Sequence, residues 1–481
     1  MNGETNNKNQ QVNTSLYSKH LKVYPQRIMG TFRRLKWMVL GTLLGFYYIV
    51  PWIRWDRGPG APDQAVLLDM AGQRGYFFDI EIWAQEVYYL TGILILGAVG
   101  LFLATTLAGR VWCGFTCPQT VWTDLFLWAE RLIEGDRNKR MKLDSGPLTA
   151  AKAVKKITKH FFWIIISLLT GGAWIFYFVD APTAAIDLIN GSASSTVYGF
   201  VALFSGFTYL LAGWAREQVC IYMCPWPRFQ GSMFDEDSLL VTYEEWRGEP
   251  RGKAKNEDGK KIMGDCVDCG LCVNVCPTGT DIRLGQQFTC IGCALCIDAC
   301  NSIMGKLGRP GNLIAYDSIS NQLSRAEGKP AKKRFFRPRV IAYVGILIAV
   351  IGIMALSLAT RSRIEINIQR DRAPLFVTLS NGDIRNGYTF KILNMESQGN
   401  SYILRTDELT GAVIHVIGIE EDGAKEVVLN VAPDSVGSFR VFVRMGQKDL
   451  EYKSNDMKFV LVNLKTGIEI EQETVFYGPD K

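Results

Sequence analysis

GDCVDCGLCVNVCPTGTD at residues 264–281 and FTCIGCALCIDACNSIMG at residues 288–305 each place four cysteines at the spacing C-x2-C-x2-C-x3-C. Three thiols within seven residues can reach one metal centre from a short loop, while backbone N–H groups point at its bridging atoms. Zinc sites usually show C-x2-C pairs that are separated by a longer loop. The crowded and repeated spacing therefore favours iron–sulfur ligation over zinc.

The same spacing is the pattern of bacterial two-cluster ferredoxins, in which the fourth cysteine ligates the other cluster. It predicts one [4Fe–4S] cluster on Cys266, Cys269, Cys272 and Cys300, and a second on Cys276, Cys290, Cys293 and Cys296. Pro277 follows Cys276 as the pattern requires, whereas Asn301 stands where the other proline would be. Loss of one ligand would give a [3Fe–4S] centre instead.

The other four cysteines stand in two matched motifs, CGFTCP at 113–118 and CIYMCP at 220–225. Residues four apart share a face of a helix, so both thiols of a pair can approach one metal ion. Together the motifs supply four soft ligands, which suit Cu(I), Zn(II) or an iron–sulfur centre. Arg110 and Arg216 stand just before the motifs and are expected to lower the thiol pKa values. The alternative is that small residues pack helix ends there; the duplication favours a shared site.

Composition excludes several functions. The chain has 481 residues and only three histidines, so the axial ligands of a membrane haem are not expected. No glycine-rich phosphate loop stands between a strand and a helix, which argues against nucleotide binding. The net charge of +6 comes mostly from basic residues beside apolar segments, so it is a topology signal and predicts no nucleic-acid partner.

Five apolar runs, at 37–53, 87–108, 161–179, 197–215 and 340–360, approach or exceed the roughly 20 residues that cross a bilayer. They predict an integral membrane protein with the lipid bilayer as a partner. Lysine and arginine are frequent at 131–160 and absent from the loop 181–195. Because cytoplasmic loops are the basic ones, the N-terminus and all twelve cysteines are predicted to be cytoplasmic and the C-terminal part to lie outside. A reducing cytoplasm disfavours disulfides among these cysteines.

Residues 361–481 contain short strand-like runs such as YTFKILN and SFRVFVRM, separated by turn signals such as NGD and EDG. This spacing predicts an immunoglobulin-like β-sandwich. The predicted organisation is a disordered tail at 1–34, a four-helix membrane region at 35–230, a two-cluster ferredoxin-like domain at 231–335, a fifth membrane helix at 336–360 and the sandwich at 361–481. The fold class is thus a multi-domain membrane protein with about five membrane helices.

With CGFTCPQTVW, CIYMCPWPRFQ, the two cysteine blocks and the closing ETVFYGP in that order, the chain resembles the cytochrome c oxidase accessory proteins called CcoG, FixG or RdxA. The resemblance covers nearly all of the chain after residue 30. It implies a multi-pass protein of the bacterial inner membrane with a periplasmic sandwich, acting in assembly of cbb-type oxidase. It implies eight cluster-ligating cysteines and a cupric reductase activity, with Cys113, Cys117, Cys220 and Cys224 as copper-handling thiols.

Three functions remain open from the sequence. The first is reduction of Cu(II) to Cu(I), with copper as substrate or bound ion. Its partners would be a cytoplasmic electron donor, a copper chaperone or transporter, and oxidase assembly factors. The second is a quinol-linked membrane ferredoxin that conducts electrons. The third is a non-enzymatic assembly scaffold, and a homodimer is compatible with all three.

Overall fold

The computed structural model describes residues 22–58, 61–252, 263–330, 334, 336–361, 364–396, 398–409, 411–419, 423–433, 435–450 and 452–479. The chain forms two compact units. The first comprises Met1–Ile53, Val66–Tyr76 and Ile82–Ile351, and the second comprises Arg54–Ala65, Phe77–Glu81 and Gly352–Lys481. Much of the predicted disordered tail at 1–34, namely residues 1–21, lies outside the described residues.

The helices are α1 Thr31–Ile49, α2 Tyr88–Ala108, α3 Pro118–Glu134, α4 Arg137–Ser145, α5 Ala150–Thr170, α6 Ala181–Asn190, α7 Ser195–Thr208, α8 Trp226–Met233, α9 Glu245–Gly248, α10 Leu271–Asn274, α11 Leu295–Lys306, α12 Ile319–Ala326 and α13 Pro338–Thr360. Three π-helical turns, at Trp112–Thr116, Tyr209–Ala215 and Val219–Met223, follow α2 and α7. Such turns often occur at functional sites. Here two of them contain the first cysteine of a C-x3-C pair, and the second cysteine directly follows the turn.

Four helices within the described residues are long and apolar enough to cross a membrane: Ala84–Ala108, Ala150–Tyr177, Ser195–Ala215 and Pro338–Thr360. They coincide with four of the five predicted runs. The run at 37–53 falls largely in α1, which does not meet this criterion, because Arg33, Arg34 and Lys36 occupy its first two turns. The C-terminal end of α1 nevertheless contacts that of α5, since the hydroxyl of Tyr47 donates to the carbonyl of Thr170 at 2.5 Å.

Residues 22–30 also differ from the predicted disorder. Tyr24 donates to the carboxylate of Asp144 at 2.7 Å, and the backbone N–H of Gln26 donates to the carbonyl of Asn274 at 2.8 Å. The guanidinium of Arg140 donates to the carbonyl of Pro25 at 2.7 Å. This segment is therefore held by hydrogen bonds to α4 and α10 and by Ile28, which packs on an apolar cluster. The low hydrophobicity of the tail does not reveal these contacts.

The strands are β1 Val66–Asp69, β2 Arg74–Phe77, β3 Ile80–Trp83, β4 Leu240–Tyr243, β5 Ile314–Asp317, β6 Ile364–Arg370, β7 Val377–Thr378, β8 Asp383–Asn394, β9 Asn400–Asp407, β10 Val413–Val416, β11 Glu426–Val431, β12 Ser435–Gly446, β13 Ser454–Asn463 and β14 Glu469–Tyr477. The antiparallel pair β4 and β5 lies on either side of the cysteine loops in the chain. It joins the two ends of the segment that carries those loops.

The C-terminal strands form two antiparallel sheets, ordered β10-β12-β8-β6, with β7 on β8, and β11-β9-β13-β14. Inward residues alternate with outward ones, as a half-buried strand requires. Tyr388 and Phe390 of the first sheet contact Phe459 of the second, with ring centroids 5.2 and 5.3 Å apart. The predicted immunoglobulin-like sandwich is confirmed, and its core has no disulfide.

Adjacent valines on β11 test how much this core stabilises the sandwich. Val427 is 1% exposed and Val428 is 44% exposed. We expect Val427→Ala to cost about 1–3 kcal/mol of unfolding free energy, because it removes buried carbons and leaves a cavity. Val428→Ala is the matched control and should change stability by less than about 0.5 kcal/mol. Calorimetric unfolding of the detergent-solubilised chain measures both, and equal losses would contradict the assigned strand faces.

Candidate iron–sulfur and thiol site

The two cysteine loops repeat the same backbone conformation. Asp268 and Gly270 in the first loop have φ of 49° and 66°, and Gly292 and Ala294 in the second have φ of 69° and 59°. These left-handed residues occupy equivalent positions, two and four residues after the first cysteine of each loop. Alternation of this kind turns successive backbone N–H groups inward and forms a concavity that attracts anions. The loops are therefore shaped for an anionic group surrounded by thiolates.

The fold brings the eight thiols into two groups of four. Cys300 interacts electrostatically with Cys266, Cys269 and Cys272. Cys296 interacts with Cys276, Cys290 and Cys293 and, least strongly, with Cys272 of the other group. These groups cross over between the two blocks, because α11 carries Cys296 at its start and Cys300 one turn later. The backbone N–H of Thr280 also donates to Cys276 Sγ at 3.3 Å.

The donor set suits iron–sulfur clusters. Burial raises the pKa of Cys293 to about 12 and that of Cys290 to about 11. The surrounding fold alone therefore favours neutral thiols, and a bound cation is needed to hold them as thiolates. The backbone N–H of Leu295 opposes this rise at Cys293, as does that of Gly292 at Cys290. N–H groups aimed at sulfur are the donors that stabilise cluster ligands.

Both C-x3-C-P motifs form the same π turn. The N–H of Cys117 donates to the carbonyl of Trp112 at 2.9 Å, and the N–H of Cys224 donates to the carbonyl of Val219 at 2.7 Å. Each turn stops at the following proline, which has no N–H to continue it. Cys117 then caps the N-terminus of α3, where the backbone N–H groups of the first turn point toward its sulfur.

Helix packing brings the four thiols of these turns together. The thiol of Cys113 interacts electrostatically with those of Cys117, Cys220 and Cys224. Cys117 and Cys220 each interact with Cys224 as well. Among the described residues, no three His, Cys, Asp or Glu side chains close on a single metal ion. The four thiols are thus neighbours without forming a closed single-ion site.

The first π turn lies directly against the second cysteine loop. A Cβ placed on Gly114 would be 2.8 Å from the carbonyl oxygen of Gly292 and 2.9 Å from Cys293 Cα, so only glycine allows this approach. Cys113 and Cys220 pack on the same apolar cluster as Cys293. The thiol pairs and the second loop therefore share one interior.

Arg110 fastens this contact. Its guanidinium donates to the carbonyls of Phe288 at 2.5 Å, Cys290 at 2.7 Å and Pro227 at 2.8 Å. It thereby joins the end of α2 to the second cysteine loop and to α8. A buried guanidinium with three carbonyl acceptors is well satisfied and rigid. The sequence placed Arg110 beside the thiols without indicating this bridging role.

The expected lowering of the thiol pKa values by arginine was wrong. Burial raises the pKa of Cys113 to about 12 and outweighs the opposing effect of Arg110. Burial also raises the pKa of Cys220 to about 12. Arg216 instead pairs with Glu130 at 2.9 Å. The thiol of Cys113 donates to Gln230 Oε1 at 3.4 Å, which agrees with a protonated sulfur.

Sequence reasoning missed further residues around the site. Asp298, between Cys296 and Cys300, accepts from the N–H of Phe32 at 3.2 Å and of Arg33 at 2.8 Å. It thus caps α1 from the helix that carries ligands of both groups. The completely buried Gln230 was missed as well. In the sequence, Asp298 is visible only as the acidic residue inside CIDAC, and Gln230 only as an amide six residues after Cys224. Neither feature is specific to a functional role.

Replacing Gly114 tests the backbone contact. Gly114→Ala should lower the midpoint of thermal unfolding of the solubilised protein, because its methyl group would meet the backbone of Gly292 and Cys293, which has little freedom to move. Gly305→Ala on α11 is the control, since a Cβ there meets nothing within 4 Å. The control should be neutral or stabilising. An unchanged midpoint in Gly114→Ala would contradict the close approach.

Comparison with known proteins agrees with this site. Residues 90–140 match the family model of a 4Fe-4S binding domain, residues 215–319 that of a 4Fe-4S dicluster domain, and residues 354–479 that of the Ig-like fold at the C-terminus of FixG. The chain therefore contains iron–sulfur-binding domains, which confirms that part of the cofactor prediction.

Curated relatives match over most of the chain. The nitrogen fixation protein FixG of Rhizobium meliloti is 46% identical over 89% of this chain and 87% of its own length. RdxB of Cereibacter sphaeroides is 45% identical over 97% and 98%, and RdxA of the same organism is 46% identical over 90% and 91%. The chain belongs to the FixG family, to which RdxA and RdxB also belong.

Proposed function

We propose that this membrane iron–sulfur redox protein reduces Cu(II) to Cu(I) for copper insertion during assembly of a cbb-type cytochrome oxidase. The observation that carries the proposal is the packing of Cys113 and Cys220 against the apolar cluster that contains Cys293. A metal at the C-x3-C-P thiols would then stand next to a one-electron source. The family relationship supports the oxidase-related part.

The proposed ligand sets are Cys266, Cys269, Cys272 and Cys300 for one cluster, and Cys276, Cys290, Cys293 and Cys296 for the other. Their support is the fourfold grouping of the thiols and the repeated left-handed positions of the loops. When bound, two [4Fe–4S] clusters supply one-electron chemistry, and a cytoplasmic donor replaces each electron that passes to Cu(II).

Cys113, Cys117, Cys220 and Cys224 are the proposed copper-handling thiols. Soft thiolate ligands favour Cu(I) over Cu(II), so binding there assists the one-electron reduction. Because burial raises the pKa of Cys113 and of Cys220 to about 12, copper must displace their protons when it binds. Gln230 Oε1 accepts the hydrogen bond of the Cys113 thiol, and this bond is lost when the proton leaves.

Location and partners follow from the proposed topology. The basic loops place the cysteine-rich part in the cytoplasm of a bacterium and the sandwich in the periplasm. A cytoplasmic electron donor, a copper chaperone or transporter, and oxidase assembly factors are the proposed partners. The outer face of the sandwich is the surface available to the last of these.

Removing the four thiols separates copper reduction from cluster binding. A variant with serine at residues 113, 117, 220 and 224 should retain iron and acid-labile sulfide in the amounts of two clusters. It should lose at least about tenfold of the Cu(II) reduction rate of anaerobically prepared, reduced protein, because the soft ligands are gone. EPR loss of the Cu(II) signal measures the rate.

Met223→Leu is the matched control, since Met223 lies inside CIYMCP but is 62% exposed. Its rate should equal that of the wild type. Cys300→Ser should instead reduce the iron content. Full Cu(II) reduction by the four-serine variant would exclude the thiol role, and wild-type protein without acid-labile sulfide would exclude the clusters.

A membrane cavity favours a second candidate, the quinol-linked conduit. About 490 Å³ of mostly apolar space lies among α1, α3, α7 and the segment that follows α5, and Thr116 and Pro118 line it on either side of Cys117. Trp122 and Trp174 line it too. Aromatic and apolar walls of this kind accept a planar ring with an isoprenoid tail. A quinol there would deliver electrons beside the thiols.

Filling the cavity tests that candidate. Leu211 lines the cavity, whereas its neighbour Leu210 does not and is 47% exposed. If quinol is the donor, a soluble quinol should reduce the clusters anaerobically. Leu211→Trp should then slow this reduction at least about tenfold, and Leu210→Trp should not. Absence of quinol reduction in the wild type would leave the copper proposal with a soluble donor.

A further inference from the structure

Lys36 is a buried cation close to the C-x3-C-P thiols and to the second cysteine loop. It stands on α1 and is 2% exposed, although lysine is rarely buried without a partner. Its ammonium group pairs with the carboxylate of Asp124 at 3.0 Å. The same carboxylate also forms an ion pair with the guanidinium of Arg33, at 3.2 Å. Two cations thus share this carboxylate, while the buried carboxylate of Asp298 accepts from the backbone N–H of Arg33 at 2.8 Å.

The ammonium group of Lys36 lies near both the C-x3-C-P thiols and the proposed ligands of the second cluster. A small cavity of about 30 Å³ is lined by Lys36, Cys220, Pro277 and Ile291, among other residues. Pro277 and Ile291 directly follow Cys276 and Cys290, two of the proposed ligands of the second cluster. The ammonium group also interacts electrostatically with Cys293 and with Cys220.

A buried ion pair is costly to form and is poor evidence of a role in stability. A buried cation acts electrostatically on redox centres over a longer distance than an exposed one, because solvent and salt screen it weakly. A cation stabilises whichever nearby redox state carries more negative charge. A cluster with four thiolate ligands gains one negative charge when it is reduced.

Resting on the proposed cluster assignment, we propose that Lys36 is a positioning residue for electron transfer that raises the reduction potential of the second cluster relative to the first. With the second cluster bound, its reduction would take up one electron from the proposed cytoplasmic donor, and no bond would be made or broken. The ammonium group lies beside the set that is nearest to the C-x3-C-P thiols. The electron would therefore reside on the second cluster, which is next to the C-x3-C-P thiols.

An EPR-monitored redox titration of the full-length protein tests this. Lys36→Gln removes the charge but can still donate a hydrogen bond to Asp124, and it should shift the second cluster to a more negative midpoint potential while leaving the first unchanged. Lys36→Arg keeps the charge and should restore the wild-type potential. Asp124→Asn should shift the second cluster in the opposite direction.

Lys22→Met is the control, because Lys22 is an exposed cation paired with Asp144 at 2.6 Å and should leave both potentials unchanged. An unchanged second potential in Lys36→Gln, or a shift of the same sign in Lys36→Gln and Asp124→Asn, would overturn the inference. If Lys36→Gln does not fold, Lys36→Arg and Asp124→Asn decide between the two results. Wild-type protein without iron and sulfide would overturn the cluster assignment itself, which is a different outcome.

Discussion

The contact between the backbones of Gly114 and Gly292 fixes the relation between the membrane helices and the cysteine loops. No side chain intervenes there, and Arg110 donates to the carbonyls of Phe288 and Cys290, which precede Gly292 in the second cysteine loop. Backbone atoms have little freedom to adjust, so the separation between Cys113 and the second loop is set by covalent geometry rather than by flexible side chains. Electron transfer between fixed centres needs this kind of rigidity.

The repeated π turns explain how four thiols meet without a common loop. The first cysteine of each pair lies in a turn and the second directly follows it. Gln119 of α3 donates to the carbonyls of Leu211 at 2.8 Å and Arg216 at 3.2 Å, which holds α3 to the segment before the second pair. Burial then dominates their chemistry, because desolvation outweighs the nearby guanidinium at Cys113. Burial likewise raises the pKa of the Cys220 thiol, so Cys113 and Cys220 both favour the neutral form.

Sequence patterns predicted what depends on local spacing. The cysteine blocks, the four apolar runs and the alternation in β12 all reflect periodicities that one segment determines by itself. Contacts between distant segments were not predictable, and Asp298 capping α1 is separated from it by more than 260 residues. The segment at 22–30 was misjudged for the same reason, because its partners lie on α4 and α10. The burial of Lys36 was not predictable either, since a sequence does not show that a cation turns inward.

The two cysteine loops occupy unequal environments, and this gives the site a direction. Cys269 of the first loop is exposed, and beside it Arg283 pairs with Asp268 at 2.5 Å and with Asp281 at 2.8 Å, an ion cluster that faces solvent. Cys293 of the second loop is buried under the first π turn. Cys269 is thus the cysteine of the two loops that solvent reaches most, whereas Cys290 and Gly292 of the second loop line a small pocket. The order of the sulfur groups, from the solvent-facing loop to the buried loop and then to the C-x3-C-P thiols, is thus set by packing, whatever the identity of the donor.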